Sequence, residues 1–136
     1  MTAQQLLRQA AQAGRRIRDI ERQRRHLREL AEGAGVSFAA LRASSPASRV
    51  ERAAVRLLDL EDDLADELAW CIDAIARAER LIDRVPNERY RTLLMMRYIE
   101  LRPWPDIQRD IGYADIRSVY RIHKRALHAA EKMATS

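Results

Sequence analysis

Six residues near the end of the chain have the types and spacing to grip a polyanion. On a helical wheel advancing about 100° per residue, Arg117, Arg121, Lys124, Arg125, His128 and Lys132 share one arc with no acid among them. Val119, Ile122, His123, Ala126 and Ala130 occupy the opposite, apolar arc. A guanidinium is planar, always charged and able to bond a phosphate or a guanine edge through two donors at once. A basic stripe on a helix preceded by a short helix and a glycine turn is therefore what reading a major groove about 12 Å wide requires. That chemistry is recognition, and it makes double-stranded DNA the expected partner.

Residues that could catalyse or ligate are sparse. Cys71, the only cysteine, lies on an apolar seam and reads as core. His26 falls in an arginine-rich stretch, His123 faces the apolar arc, and His128 stands five residues from it, the wrong step for a metal pair on one face. Asp59, Asp62, Asp63 and Asp66 recur at helical steps that could hold magnesium, but no second acidic helix completes the cage. The four glycines form no phosphate loop. We therefore expect no reaction, no cofactor and no bound metal.

The elements that position these residues follow from composition and period. Of 136 residues 47% are hydrophobic, 7 are aromatic, and Gly plus Pro total 8, too few turn-formers for a many-stranded β fold. The expected class is all-α. Leu6, Ala10, Ala13, Ile17, Ile20, Arg24, Leu27, Ala31 and Ala34 alternate steps of four and three, a coiled-coil-like seam with one charged interruption. This predicts a helix from about Thr2 to Glu32, ended by Gly33 and Gly35. Ser44, Ser45, Pro46 and Ser48 carry loop and helix-start signals, and a second helix from about Ala47 to Val85 keeps the rhythm through Val50, Ala54, Leu57, Glu61, Leu64, Leu68, Cys71, Ile75, Ala78 and Ile82. Two such seams predict a long antiparallel helical hairpin over residues 1–85, with Arg15 to Arg22 opposite the acidic block Asp59 to Glu67. On that reading the first helix's arginines, Arg8 included, neutralise the second helix, and the hairpin supplies a homodimer contact.

After Pro86 the segments shorten. Asn87 can cap a helix to Leu101, Pro103 and Pro105 open a second one that Gly112 closes, and Asp115 can cap the third. Residues 86–136 thus read as a three-helix unit. Arg97-Tyr98-Ile99, Trp104-Pro105-Asp106-Ile107, Ile111-Gly112-Tyr113 and Ser118-Val119-Tyr120-Arg121-Ile122-His123 with Ala126-Leu127 resemble the helix-turn-helix of sigma-70 region 4, and more closely phage transcription regulators of the ArpU/RinA type. Gln108 stands where that motif usually carries alanine, and Ala114 where it carries a serine cap. The resemblance implies that Pro103 to Ile111 supports a recognition helix, that Trp104 packs beneath it, and that Arg117, Ser118, Arg121, Lys124 and Arg125 face DNA. Arg97, Arg102 and Arg109 become phosphate candidates. It implies sequence-specific transcription control, activation of phage late genes in a bacterial cytoplasm, with RNA polymerase as a further partner. The rivals are a phage small terminase subunit and a sigma mimic that docks on polymerase without touching DNA. No run of apolar residues approaches the roughly 20 that a membrane-spanning helix needs.

Overall fold

The computed structural model describes residues 1–35, 37–43 and 49–135. Its elements are α1 (Ala3–Gly33), α2 (Phe38–Arg42), α3 (Arg49–Asp83), α4 (Glu88–Leu94), a π-helical turn (Met95–Ile99), α5 (Trp104–Ile111) and α6 (Ile116–Ala134). The class is all-α, with no strand among the described residues. The loop and helix start assigned to Ser44, Ser45, Pro46, Ala47 and Ser48 lie outside those residues. The five residues of α2 occupy part of the segment that reads as loop.

Contacts divide the chain elsewhere than at Pro86. One compact unit joins Met1–Arg15 to Cys71–Ser136, and the other is Arg16–Trp70. The apolar period of both long helices runs on past these boundaries and tells no residue which partner to bury against. Leu7, Ala10, Ala78 and Ile82 share one core with Leu93, Leu94, Ile107, Val119, Ala126 and Ala130. Residues 1–15 and 71–85 therefore belong with the short helices rather than to a self-contained hairpin.

In the first unit, local chemistry sets the helix ends. Thr2 and Gln5 form a reciprocal cap on α1: Gln5 N donates to Thr2 Oγ1 (3.1 Å) and Thr2 N to Gln5 Oε1 (2.9 Å). Ala3 N donates to Glu131 Oε2 (2.7 Å), which puts a carboxylate of α6 at the positive end of α1. Asn87 caps α4 by accepting from Tyr90 N (3.1 Å). The helix expected to run on to Leu101 instead widens into the π turn, where Glu100 N donates to Met95 O (2.9 Å). The chain then leaves through Leu101 at φ 58°, a left-handed conformation that costs an L residue roughly 1–2 kcal/mol. Gly14 makes room for it, since a Cβ there would lie 3.1 Å from Leu101 Cδ1. Gly112, at φ 85°, closes α5, and Asp115 caps α6 by accepting from Ser118 N (2.8 Å). Gln108 donates from Nε2 to Tyr113 O (3.4 Å) and so clamps this turn.

In the second unit, arginines of α1 meet acids of α3 in antiparallel order. Arg16 holds Glu67 through two bonds of 2.5 and 2.9 Å, while Arg24 and Arg28 reach Glu61 Oε1 at 2.9 and 3.2 Å. Arg24 and Glu61 are the two charged interruptions of the seams. Glu61 is 5% exposed. Burial pushes its carboxyl pKa up, but the bonds and charges of Arg24 and Arg28 outweigh that and hold it below the usual range. Arg42 pairs with Asp62 at 2.5 Å.

Candidate nucleic-acid interface

Helix α6 is oriented by what it buries. Val119, Ala126 and Ala130 are fully buried, with Ile122, Leu127 and Met133 packed against the same core. The opposite face presents Arg117, Arg121, Lys124, Arg125, His128 and Lys132, all exposed. Among the described residues none of these six makes an ion pair. Ser118 sits at the start of this face, half-buried and committed to the cap. Its backbone N–H and hydroxyl hold the Asp115 carboxyl below the usual range, with the Arg121 charge adding to the effect.

The three phosphate candidates are placed differently. Arg97 lies over Trp104, its guanidinium carbon 4.4 Å from the ring centroid, and donates to Arg102 O (3.2 Å). Arg102 is half-buried in an ion pair with Asp110. Arg109 is exposed but bonded to Asp106 one turn earlier at 2.5 Å. The structure thus gathers Arg117, Arg121, Lys124 and Arg125 on one open face and gives Arg97, Arg102 and Arg109 internal partners.

Trp104 braces α6 edge-on, with ring centroids 5.4 Å from Tyr120 and 4.7 Å from His123. His123 Nε2 and the Tyr98 hydroxyl are hydrogen-bonded at 2.7 Å. Burial, reinforced by the charges of Arg97 and Arg8, depresses the His123 pKa to about 4, so the imidazole is neutral at neutral pH. Trp104 and His123 also line two hollows. One, of about 600 Å³, adds Tyr120, Arg121 and Lys124. The other, of about 300 Å³, is walled by Gln4, Arg8, Gln12 and Arg15 of α1 together with Arg97 and Tyr98, and no acid lines it. Sequence reasoning assigned Arg8 and Arg15 to the acidic block of α3. The contrary signal was the absence of any acid between Met1 and Arg18.

A third hollow, of about 710 Å³, lies between the start of α4 and α6. Pro86, Tyr90, Ala129 and Met133 give it an apolar lining, and Arg121, Lys124, Arg125 and Lys132 rim it.

Charge is distributed unevenly. The unit of residues 1–15 and 71–136 carries 15 Lys and Arg against 9 Asp and Glu, net +6, while Arg16–Trp70 carries 10 against 11, net −1. The chain's whole excess of +5 thus arises in the unit that contains α6. Among the described residues no group of three His, Cys, Asp or Glu side chains gathers as a metal site. No helix among them is long and apolar enough to cross a membrane. No family profile, curated protein or solved structure matches this chain.

Proposed function

We propose that the protein is a sequence-specific DNA-binding regulator of transcription, acting as an activator of phage late genes and catalysing no reaction. One observation carries the reading: the exposed face of α6 holds Arg117, Arg121, Lys124 and Arg125 free of ion pairs among the described residues, on a unit of net charge +6. Arginines held away from acids keep their donors for phosphates and base edges. The cap at Asp115, the left-handed Gly112 and the bracing by Trp104 supply the rigid support that a reading helix needs. Exposed Leu60 and Trp70 on α3 favour self-association through the Arg16–Trp70 unit, and a homodimer would present two reading helices.

Fluorescence anisotropy tests this on a labelled duplex selected from a random-sequence library. Arg121→Ala is expected to weaken the selected site by about 1–3 kcal/mol and to relax its sequence preference. Arg109→Ala removes a side chain that is 74% exposed even while bonded to Asp106, and is expected to weaken all duplexes about equally, as loss of a phosphate contact does. Absence of salt-dependent binding to any duplex overturns the reading.

A second reading has the groove of about 710 Å³ in its favour. An apolar floor with a basic rim fits an acidic amphipathic segment, as a sigma mimic docking on RNA polymerase would need. Retention of polymerase by a protein that binds no duplex would select it.

A further inference from the structure

We infer that Arg8 and Arg15 of α1 form a second phosphate-binding strip, continuous with α6 across Trp104 and His123, so that the first helix grips the DNA backbone beside the last. The inference rests on the DNA-binding reading and adds residues to it that neither the helix-turn-helix pattern nor the sequence pairing of α1 with α3 assigns.

The geometry supports it in three ways. Arg8 and Arg15 are seven residues apart, two turns and about 10.5 Å along one face of the helix. Successive phosphates of one strand advance about 3.4 Å along the duplex axis, so the two arginines match phosphates about three nucleotides apart. Both are exposed, and neither makes an ion pair among the described residues. In the acidic block of α3, Glu67, Glu61 and Asp62 are bonded instead to Arg16, to Arg24 and Arg28, and to Arg42. Gln4 and Gln12 continue the same face with neutral donors.

Continuity is the second support. Trp104 and His123 are common to the hollow holding Arg8 and Arg15 and to the hollow holding Arg121 and Lys124. A backbone following these walls passes from α1 to α6 without meeting a carboxylate. The third support is the potential in the cleft, since Arg8 is close enough, with Arg97, to help depress the protonation of His123. A phosphate drawn into the cleft would counter that field.

The experiment is a salt series of anisotropy titrations on the full chain with the selected duplex. Arg8→Ala with Arg15→Ala is expected to lower the slope of log affinity against log salt by about 1.8, from two contacts of about 0.9 each. Arg8→Lys with Arg15→Lys keeps both charges and retains the wild-type slope. Arg18→Ala with Arg25→Ala removes two exposed charges from the other unit and leaves the slope unchanged. NMR titration of His123 in the wild-type complex gives an independent readout, an upward shift of its pKa on binding duplex. An unchanged slope in the Arg8, Arg15 alanine variant, or an equal fall in the Arg18, Arg25 control, overturns the inference while leaving the reading of α6 standing. A wild-type chain that binds no duplex overturns both.

Discussion

Arginine does different work in the two units. In Arg16–Trp70, 10 basic residues face 11 acidic ones, and Arg16, Arg24, Arg28 and Arg42 each end on a carboxylate of α3. Their charge holds one helix to another and projects little field outward. In the other unit the four arginine and lysine candidates on α6 end in solvent, and the charge balance is net +6. Even there, Arg102 and Arg109 are tied to Asp110 and Asp106. An arginine's role here depends on which acids its helix face can reach, more than on how many arginines a segment holds.

The largest effect that could break this contrast lies at Glu61. Removing its carboxylate leaves Arg24, whose side chain is 23% exposed, and Arg28 without a counter-charge between the helices. Glu61→Ala is expected to cost about 3 kcal/mol in urea unfolding, near the lower end for a buried pair that loses one partner. Arg24→Met combined with Glu61→Leu replaces the pair by apolar volume and should return to within about 1 kcal/mol of wild type. Because the folded pKa of Glu61 is depressed, its contribution is present above the ordinary carboxylate range and fades as pH falls through the lower folded value. A Glu61→Ala variant as stable as wild type would show that the pairing of α1 with α3 does not depend on this charge.

The next effect belongs to the other unit and has its own pH window. The folded pKa of His123 is about 4 against 6.5 for the free side chain, so the unfolded chain takes up the proton first. The associated stability is complete above pH 6.5 and is lost as pH falls towards 4. Discounted for a half-exposed ring, it amounts to on the order of 1–2 kcal/mol. Glu61 and Glu67 titrate below the ordinary carboxylate range, so the interval from pH 6.5 to 5 isolates the histidine. His123→Gln is expected to flatten the melting temperature across that interval. A wild-type profile already flat there would remove the buried neutral imidazole from the account of the core.

What the sequence made legible was local. Asn87, Gly112 and Asp115 act where their types say they should, because a cap or a left-handed turn is decided within four residues. The stripe of α6 was legible for the same reason, since one helix's wheel contains it. Partnership across long distance was not. Arg24 and Glu61 stood out as charges on apolar seams, yet neither position names the other, and Arg24 falls outside the span paired by folding about the loop. The packing of Ala3, Leu7 and Ala10 with the short helices was hidden because an alanine-rich face suits several neighbours equally. A glycine inside a helix, as at Gly14, costs about 1 kcal/mol relative to alanine, and the left-handed Leu101 beside it explains the missing side chain. Nothing local marks the π turn at Met95–Ile99 that delivers Leu101 there.

The smallest expected effect on stability sharpens the contrast most. Arg121→Ala and Arg125→Ala remove exposed side chains that make no ion pair among the described residues, and alanine is the better helix former. Each should leave the unfolding free energy within about 0.5 kcal/mol of wild type. Arg24→Ala, the same substitution in a different helix environment, takes the guanidinium partner from a buried Glu61 and should lower it by more than 1 kcal/mol. Measured beside DNA affinity, the two kinds of variant should separate on both axes, with Arg121 and Arg125 losing binding at constant stability and Arg24 losing stability at constant salt slope. If Arg121→Ala and Arg125→Ala instead destabilise the fold as Arg24→Ala does, those arginines have structural partners as well, and the division of labour between the two units fails.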